Sequence, residues 1–484
     1  MHGAWSVQRV RAAEDAVLAR VPAGTLMRRA AFGVATRTAG MLVARTGGVS
    51  GRHVGLLVGA GDNGGDALWA GAMLRRRGVA VTAVLLSPKR AHPAGLAALR
   101  RAGGRVGTTL PDHVHIVLDG IVGLAGKGGL RPEAERLVGA IEVPIIAVDS
   151  PSGVDPDTGV ADGPAVTATE TVTFGALKPV HLLAPWRCGP VHLVDIGLSP
   201  ELGEPDLRML SGPEVGALWP KPGPTSDKYS QGVLGIAAGS ADYPGAAVLC
   251  AGAAVLTTSG MVRFAGTAAD AVRARWPEVV ATGSVADAGQ VQAWAVGPGM
   301  GTGVTGRQML AHVLGAGVPV VADADAITLL ARHPELADCR DLATPLVLTP
   351  HDREFERLTG AALGNDRVGA AREAAVRFNA VLLLKGNTTI VAAPDGRVLV
   401  HPARSAWGAT AGSGDVLTGV IGKLLAAGLE PAMAAAAAAH AHELAATLAA
   451  GNGGTCGAPV PASAIQVTLS DAIRALLKAA GAGG

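Results

Sequence analysis

Short apolar runs rich in β-branched residues alternate along this chain with longer segments rich in alanine and arginine. Such short runs are typical of strands buried on both faces of a parallel sheet, and the longer segments are typical of the helices that cover it. In the first half of the chain, the predicted strands are 54–58, 79–86, 115–119, 144–149, 170–174 and 191–195. In the second half, they are 232–238, 293–296, 318–323, 346–348, 381–385 and 389–392. The same alternation therefore occurs twice.

Residues 198–213 interrupt this alternation with prolines, glycines and acidic side chains, which is the composition of a linker. A chain of 484 residues also exceeds what a single hydrophobic core usually supports. We therefore predict a first domain over residues 1–205 and a second domain over residues 206–484. The expected fold class is α/β, with a three-layer α/β/α arrangement in each domain.

The composition excludes several classes of protein. Hydrophobic residues make up 49% of the chain and charged residues 17%, so the chain can bury large cores and is not intrinsically disordered. A net charge of +2 gives no reason to expect binding to nucleic acid or to an anionic membrane. The four cysteines form no CxxC pair, which fits a reducing compartment. The amino terminus lacks an apolar signal core, and histidines and a glutamate interrupt the alanine-rich stretch 432–450, so we expect a cytoplasmic protein without a membrane segment.

Residues 406–419 combine a glycine-rich turn with a carboxylate at the start of an apolar helix. Gly412 and Gly414 allow backbone N–H groups to approach an anion, and the N-terminus of the helix that begins near Asp415 adds its positive dipole. Asp415 is placed to take a proton from a hydroxyl group that faces the phosphate. We therefore predict phosphoryl transfer here, although a Gly-Asp pair by itself also fits a turn with a helix cap.

A second glycine-rich loop, residues 59–66, has the spacing GxGxxG between a predicted strand and a predicted helix. This spacing alone is a weak signal for dinucleotide binding. The acidic residue that an NAD site places after the next strand is absent, since residues 85–90 read Leu-Leu-Ser-Pro-Lys-Arg. Asp62 and Asp66 would also repel a pyrophosphate, so the loop suits a cation or a sugar better.

Polar residues follow two further strands of the first half. Asp119 closes strand 115–119, and Asp149 closes strand 144–149 and is followed closely by Ser152. The carboxyl ends of parallel strands meet at one edge of a sheet. Asn63, Asp119 and Ser152 can therefore supply oxygen ligands to one hard cation, which leaves Asp149 as an acid or base. Each aspartate alone is more often a turn former, but their convergence on one edge favours the functional interpretation.

These motifs carry a resemblance that covers nearly the whole chain. Residues 61–66, Asp119 with its glycine-rich continuation, and residues 149–153 resemble the NAD(P)H-hydrate epimerase family, which implies a Rossmann-like fold. In the second half, the segments Gly-Pro-Gly, Thr-Pro-His, Lys-Gly and Gly-Ser-Gly-Asp resemble the NAD(P)H-hydrate dehydratases of the ribokinase-like superfamily. Joined in this order, the two motif sets resemble bifunctional nicotinamide nucleotide repair proteins.

For the first domain, the resemblance implies epimerisation of the R and S hydrates of NAD(P)H. It implies that Asp149 transfers the proton and that Asn63, Asp119 and Ser152 bind potassium. The implied substrate contacts besides Asp149 are Asp62, Asn63, Gly64, Gly65, Asp66, Gly123, Leu124, Ala125, Gly126, Lys127, Gly128 and Gly129. The sequence departs from the family pattern at two positions, because Asp62 replaces an asparagine and Ala67 replaces a glycine.

For the second domain, the resemblance implies dehydration of the S hydrate back to NAD(P)H, driven by ADP or ATP. Asp415 would deprotonate the ring hydroxyl, and Gly412 and Gly414 would stabilise the transferred phosphoryl group. The implied contacts to the adenine nucleotide, with magnesium as its counter-ion, are Lys385, Gly386, Asn387, Thr388 and Thr389. The implied hydrate pocket consists of Ala246, Gly301, His351 and Asp415. The expected partners are NAD(P)H hydrates, the adenine nucleotide and further copies of the chain in a homo-oligomer.

Two other interpretations stay open at this point. The second domain could be a ribokinase-like small-molecule kinase, which would leave a stable phosphate ester. The first domain could be a binding or oligomerisation module that no longer turns over substrate. His440 and His442, in the alanine-rich stretch, are interpreted as packing or surface residues.

Overall fold

The computed structural model of the chain describes residues 2–124, 126, 128–451 and 457–481. The chain forms two compact units, one from Gly3 to Leu207 and the other from Arg208 onward. No helix in the described part of the chain combines the length and the hydrophobicity that a membrane span requires.

The first unit contains a sheet in which all neighbouring strands are parallel. After the short strand β1 (His2–Ala4), the strands are β2 (His53–Val58), β3 (Ala80–Leu85), β4 (Arg105–Gly107), β5 (Ile116–Gly120), β6 (Ile145–Val148), β7 (Glu170–Phe174) and β8 (Val191–Val194). They lie in the order β4-β3-β2-β5-β6-β7-β8. The helices are α1 (Val7–Leu18), α2 (Thr25–Thr46), α3 (Asp62–Arg76), α4 (Pro93–Arg101), α5 (Pro132–Gly139), α6 (Pro179–Leu183) and α7 (Pro185–Cys188), with 3-10 turns at Pro88–Arg90 and Ser199–Glu201.

The second unit contains a larger, mixed sheet. Its strands are β9 (Leu207–Met209), β10 (Val233–Ala237), β11 (Met261–Ala265), β12 (Val280–Thr282), β13 (Ala293–Val296), β14 (Val320–Ala322), β15 (Leu346–Leu348), β16 (Val381–Leu384), β17 (Thr388–Ala392) and β18 (Val398–Pro402). From β9 to β12 the order is β9-β18-β17-β16-β15-β14-β13-β10-β11-β12. The helices are α8 (Gly212–Leu218), α9 (Pro244–Thr257), α10 (Ala269–Arg275), α11 (Val304–Leu314), α12 (Asp325–Arg332), α13 (Asp352–Thr359), α14 (Arg367–Phe378), α15 (Ser413–Ala426), α16 (Pro431–Ala449) and α17 (Ala462–Gly481), with a 3-10 turn at Pro334–Cys339.

Both faces of each sheet are buried, as the apolar runs predict. In β2 of the first unit, Leu56 packs into one hydrophobic core and Leu57 into another. In β16 of the second unit, Leu382 and Leu383 both have no exposed surface, although consecutive side chains point to opposite faces. A sheet with two buried faces needs a layer of helices on each side, which is the three-layer arrangement.

Every strand predicted from the apolar runs is present, and the sheet of the second unit is parallel except around one strand. Strand β17 is antiparallel to both β16 and β18. Only three residues, 385–387, connect β16 to β17. A parallel partner requires a long crossover connection, so a link this short forces an antiparallel pair. The stretch 198–213 also differs from a simple linker, because it contains β9 and buries Leu198, Leu202 and Leu207.

Candidate active sites

In the first unit, Asp119 and Ser152 are joined by hydrogen bonds at the carboxyl-terminal edge of the sheet. Asp119, near the end of β5, is fully buried. Its Oδ1 accepts a hydrogen bond from Ser152 Oγ at 2.6 Å, and its Oδ2 accepts one from the Ser152 backbone N–H at 2.8 Å. Burial raises the pKa of Asp119 to about 6, although these hydrogen bonds oppose the shift. No cationic side chain of the described residues pairs with this carboxylate.

Asn63, in the first turn of α3, lies against Gly120 and Gly123, which follow Asp119 in the chain. A Cβ atom on Gly123 would lie 3.3 Å from Asn63 Oδ1, and one on Gly120 would lie 3.1 Å from the Asn63 carbonyl oxygen. The Asn63 side chain is buried, and its amide nitrogen has no hydrogen-bond partner among the described residues. The Asp119 carboxylate, the Ser152 hydroxyl and the Asn63 amide thus lie on the loops or strand ends at one edge of the sheet, and oxygen atoms of these kinds are the ligands of hard cations.

The other residues predicted for the first site lie in two segments, the start of α3 and the loop that follows β5. Asp62 to Asp66 form the first turn of α3, where Gly64 and Gly65 have a packing role. A Cβ atom on Gly64 would lie 2.5 Å from the Gly59 carbonyl oxygen, so a side chain does not fit there, and one on Gly65 would lie 2.9 Å from Met27 Cε, which would have to move.

The loop that follows β5 is the second group. Gly126 donates a hydrogen bond to the Gly123 carbonyl at 3.0 Å, and Leu124 packs against the core of the first unit. Gly128 has a positive φ of 77°. Gly129 packs against the backbone of residues 162–163 and not against Asn63. Ala125 and Lys127 lie outside the described residues.

Asp149 follows β6 in a backbone conformation that favours glycine, with φ 68°. Such a conformation costs on the order of 1–3 kcal/mol and persists only where surrounding contacts impose it. The Asp149 carboxylate accepts hydrogen bonds from Thr173 Oγ1 at 2.9 Å and from Lys178 Nζ at 2.5 Å. Its backbone carbonyl lies 2.9 Å from His181 Nε2. The strained backbone thus presents a carboxylate that accepts both of these side-chain hydrogen bonds at one oxygen, Oδ1.

His181 is neutral and fixed in one tautomer. Burial, followed by the charge of Lys178, lowers the pKa of His181 to about 4. The Lys178 backbone N–H donates to His181 Nδ1 at 3.0 Å, so the ring proton is on Nε2 and is donated to the Asp149 carbonyl. Lys178, which is only 1% exposed, thereby belongs to a buried cluster with Asp149, Thr173 and His181.

In the second unit, Asp415 lies in the first turn of α15, as predicted. Gly412 is the N-cap residue of this helix, with φ 84°. A Cβ atom on Gly414 would lie 3.5 Å from Lys385 Nζ and 3.7 Å from Asp323 Oδ2, so the glycine turn faces these two charged groups. Burial and the nearby charge of Asp323 raise the pKa of Asp415 to about 7, against the opposing effect of Lys385.

Lys385 follows β16 and is paired with Asp323, which follows β14. Lys385 Nζ donates to Asp323 Oδ1 at 2.7 Å and lies 3.7 Å from Glu354 Oε2. Burial lowers the pKa of Lys385, but Asp323 and Glu354 more than offset this, and the net shift is upward. Thr418, one turn after Asp415 on α15, donates to Asp323 Oδ2 at 2.8 Å. The lysine is therefore a permanent cation beside the helix N-terminus.

The predicted hydrate-pocket residues lie on separate elements of the second unit. A Cβ atom on Gly299 would lie 3.0 Å from Ala246 Cβ, which places Ala246 against the Gly-Pro-Gly turn. The Gly301 N–H donates to Asp325 Oδ2 at 2.8 Å. His351 is the N-cap residue of α13, where its Nδ1 accepts from the Arg353 N–H at 3.1 Å.

Residues 386–389, predicted to contact the nucleotide, lead away from Lys385 along β17. Arg367 Nη2 would lie 2.7 Å from a Cβ atom on Gly386 and donates to the Lys385 carbonyl at 3.0 Å. The Asn387 carbonyl accepts from the Ala403 N–H at 2.8 Å. Thr388 and Thr389 pair with Pro402 and His401 of β18.

Sequence reasoning missed several charged or polar groups of these two sites: Lys178, Thr173, His181, Asp323, Asp325, Glu354, Thr418 and His442. His442 Nε2 lies 3.0 Å from Ser413 Oγ in the glycine turn, and its pKa is lowered to about 4, mainly by burial. A signal existed for Asp323, because it ends a predicted strand just as Asp119 and Asp149 do. For His442, on a helix far along the chain from the turn, the sequence carries no such signal.

Two family models match the chain, NAD(P)H-hydrate dehydratase over residues 234–467 and YjeF-related protein N-terminus over residues 23–180. The chain is 55% identical over 435 residues to the bifunctional NAD(P)H-hydrate repair enzyme of Mycobacterium tuberculosis H37Rv, which covers 89% of this chain and 91% of that relative. It is 53% identical over 475 residues to the enzyme of the same name from Mycobacterium leprae, and this match covers 98% of this chain and 99% of that relative. The chain belongs to the family of bifunctional NAD(P)H-hydrate repair enzymes.

Among solved structures, a ribokinase-like superfamily protein from Enterococcus faecalis matches with a TM-score of 0.50 and 22% identity, covering 56% of this chain and 96% of that chain. This likeness shows the fold alone. The predicted α/β fold class and the resemblance to the repair-enzyme family are thus both confirmed.

Proposed function

We propose that the first unit epimerises the R and S hydrates of NAD(P)H and that the second unit dehydrates the S hydrate at the expense of ADP or ATP. Membership of the family makes the chain a bifunctional NAD(P)H-hydrate epimerase and dehydratase. The assignment of each reaction to particular residues, and a domain boundary between residues 205 and 206, are part of the proposal.

In the epimerase site, Asp149 is the proposed proton-transfer group. Its carboxylate is held by Lys178 and Thr173 at the carboxyl-terminal edge of the sheet, where folds of this kind bind their ligands. A carboxylate at this position can accept a proton from an oxygen at C6 of the nicotinamide ring. Asp62 to Asp66 and the loop 123–129 are the proposed substrate contacts.

Potassium is proposed at Asn63, Asp119 and Ser152. The residues fit such an ion, because Asp119 is a buried carboxylate without a cationic partner among the described residues, the Ser152 hydroxyl is hydrogen-bonded to it, and Asn63 lies against the loop that follows it. A bound cation would supply charge compensation there and hold the loops that follow β2, β5 and β6 in place. The single negative charge of the Asp119 carboxylate matches the single positive charge of a potassium ion.

In the dehydratase site, Asp415 is the proposed base. It takes the proton of the C6 hydroxyl group, whose oxygen attacks the terminal phosphorus of the nucleotide while the bond from that phosphorus to the bridging oxygen breaks and AMP (from ADP) or ADP (from ATP) leaves. The backbone N–H groups of residues 412–414 and the Lys385 ammonium face the phosphoryl group as its charge redistributes. The ring nitrogen's lone pair then expels phosphate, and loss of a proton from C5 restores the dihydropyridine. Phosphorylation thus converts a poor leaving group into a good one.

Magnesium is proposed to enter with the nucleotide. Groups of three or more His, Cys, Asp or Glu side chains suited to a metal do not occur among the described residues. Asp323 and Asp325 lie near Asp415, and Mg²⁺ is commonly held by one or two carboxylates together with substrate phosphates.

The single observation that carries the proposal for the second unit is the position of Asp415 between the N-terminus of α15 and the Lys385–Asp323 pair. The decisive experiment compares Asp149→Asn and Asp415→Asn in the full chain. Interconversion of R and S hydrates is followed by chromatography without nucleotide, and dehydration is followed by the absorbance of NADH after addition of ADP or ATP with Mg²⁺.

We expect Asp149→Asn to lose epimerisation by about 100-fold or more and to keep dehydration of the S hydrate. Supplied with both hydrates, this variant should stop once the S hydrate is used. Asp415→Asn should show the opposite pattern. A stable phosphate ester in place of inorganic phosphate would instead favour a kinase, and unchanged interconversion in Asp149→Asn would remove that residue from the mechanism.

The proposal also includes the oligomeric state of the chain and its location in the cell. Self-association of the chain is supported by the family resemblance alone, and light scattering of the purified protein tests it. A cytoplasmic location is supported by Cys188, Cys250 and Cys339, which are free thiols in this structure.

A further inference from the structure

Lys178 is a charged side chain that lies inside the first unit, shortly after the end of β7. Its side chain is only 1% exposed, and a lysine is rarely buried unless it is paired. Its ammonium group donates to Asp149 Oδ1 at 2.5 Å, to Thr173 Oγ1 at 2.9 Å and to the Phe174 carbonyl at 3.2 Å. An ammonium group has three N–H donors, so each of them has an acceptor within the protein. Lys178 therefore has no donor left for a substrate, and its effect on a reaction must pass through its neighbours.

Thr173 completes a closed set of hydrogen bonds around one oxygen of Asp149. Its hydroxyl group accepts from Lys178 Nζ and donates to Asp149 Oδ1 at 2.9 Å. Asp149 Oδ2 accepts no hydrogen bond from the described residues, and it is not one of the enclosed side-chain atoms that lack a partner. The two oxygens of this carboxylate are therefore different, because Oδ1 is occupied by protein donors and Oδ2 is open to a ligand.

This difference matters because the orientation of a carboxylate is otherwise loosely fixed. The terminal torsion of an aspartate is broad and roughly two-fold, so either oxygen can take the place of the other. Proton transfer requires the reacting oxygen to lie within hydrogen-bond distance of its partner and in the right direction. Two hydrogen bonds to Oδ1 remove the rotation, so that Oδ2 keeps one position.

Epimerisation at C6 involves a proton transfer in each half of the reaction. When the C6–O bond breaks, the departing oxygen takes up a proton from solvent, and the lone pair of the ring nitrogen forms a C6=N1 iminium as water leaves. When water adds to the other face of C6, the electron pair returns to the nitrogen and the added oxygen gives up a proton to a base.

We propose that Asp149 receives this proton through Oδ2, and that Lys178 and Thr173 are positioning residues that hold Oδ1 so that Oδ2 faces the substrate. This inference rests on the proposed epimerase function of the first unit. In the reverse direction, the same oxygen returns the proton to the departing hydroxyl group. Because the positioning residues act through Asp149, their loss should lower kcat and leave KM nearly unchanged.

The test measures kcat and KM for interconversion of the hydrates by the full chain without nucleotide, so that the dehydratase is silent, and corrects for the rate in buffer alone. We expect kcat to fall by about 10-fold or more in Thr173→Val and by about 100-fold in Lys178→Met. Thr173→Ser keeps a hydroxyl group and should recover most of the loss. In an Asp149→Asn background, Lys178→Met should cause no further loss, because the residue through which Lys178 acts is already gone.

Thr171→Val is the matched control for the removal of a buried hydroxyl group. Thr171 lies two positions before Thr173 on β7, and therefore on the same face of the strand. Both side chains are fully buried, but Thr171 Oγ1 donates to the Cys188 carbonyl at 2.7 Å. The two valine variants should lose similar stability in thermal unfolding, whereas only Thr173→Val should lose activity.

The proposal is overturned if Thr171→Val loses as much activity as Thr173→Val, or if the losses appear in KM and not in kcat. A further fall of kcat on adding Lys178→Met to Asp149→Asn would also overturn it. The comparison of the two threonines decides the matter even where Lys178→Met does not fold. An Asp149→Asn variant as active as the wild type would instead overturn the epimerase assignment itself.

Discussion

Two carboxylates and one amine in the second unit set the strength of the proposed base. Lys385 donates its hydrogen bond to Asp323, and its charge acts on Asp415 only through space. Burial and the charge of Asp323 therefore raise the pKa of Asp415 by more than the charge of Lys385 lowers it, and the pKa reaches about 7. A base with a pKa near neutral pH is substantially ionised and still strong enough to take a proton from a hydroxyl group.

We expect Asp323→Asn to move the acid limb of the dehydratase pH profile to lower pH. In the wild type, kcat/KM for the S hydrate should fall below about pH 7, because Asp415 must be ionised to act. The substitution removes a negative charge and releases Lys385 toward Asp415. Both changes favour the carboxylate, so the limb should move by about one pH unit or more. The measurement is the pH dependence of kcat/KM with saturating ADP and Mg²⁺.

Asp352→Asn is the matched control for this prediction. Asp352 is paired with Arg367 at the exposed start of α13 and is not among the charges that shift Asp415. Its substitution should leave the limb in place. If the limb also stays in place in Asp323→Asn, a group other than Asp415 controls it.

The residues that the sequence identifies and those that it misses differ in a physical way. Asp149 and Asp415 are visible because a local pattern, a strand end or a glycine turn before a helix, determines where their side chains lie. Lys178 reaches Asp149 only because β6 and β7 are neighbours in the sheet, a pairing that no local pattern encodes. Long-range proximity of this kind requires the folded structure.

At the scale of elements, α15 carries two glycines with opposite requirements. Gly414 has room for a methyl group, since the nearest atoms to its Cβ would be Lys385 Nζ at 3.5 Å and Asp323 Oδ2 at 3.7 Å. At Gly419, a Cβ atom would lie 2.3 Å from the Cys250 carbonyl oxygen of α9. One glycine keeps space open beside the charged groups, and the other allows two helices to pack closely.

We expect Gly414→Ala to keep the stability of the protein and to lose dehydratase activity by about 100-fold, because the methyl group occupies the space in which the phosphoryl group meets its N–H donors. Gly419→Ala should instead destabilise the second unit by about 1–3 kcal/mol, since α9 must move away. Thermal unfolding and kcat/KM for the S hydrate, measured on both variants, check the two outcomes. A Gly414→Ala variant that is stable and fully active would show that phosphate does not bind at this turn.

The strands show how far sequence patterns determine these elements. Runs such as 381–385 predict β16 because they are long, apolar and buried on both faces. β4 and β12 are missed because they have three residues each and lie at the sheet edges with exposed positions. β11 is missed because Arg263 interrupts its apolar run. β18 is also missed, although it is apolar and lies between β9 and β17 in the sheet, so the burial pattern does not identify every interior strand.

For the whole molecule, the division into two units has consequences for unfolding. Each unit has its own sheet and its own hydrophobic cores, and the proposed nucleotide contacts all lie in the second unit. A ligand that binds one folded unit stabilises that unit by mass action, and has no direct effect on another that unfolds separately. Nucleotide binding can therefore assign unfolding events to units.

We expect calorimetry of the full chain to show two unfolding transitions, of which ADP with Mg²⁺ raises only one. At a nucleotide concentration of about 100 times Kd, the stabilisation should reach about 2.7 kcal/mol. Gly419→Ala should lower the same transition that the nucleotide raises, because Gly419 packs within the second unit against Cys250. The epimerase variant Asp149→Asn should leave the response to nucleotide unchanged. A single transition that shifts as a whole would show that the two units unfold together. If the nucleotide instead raises only the transition that Gly419→Ala leaves unchanged, the nucleotide binds to the first unit.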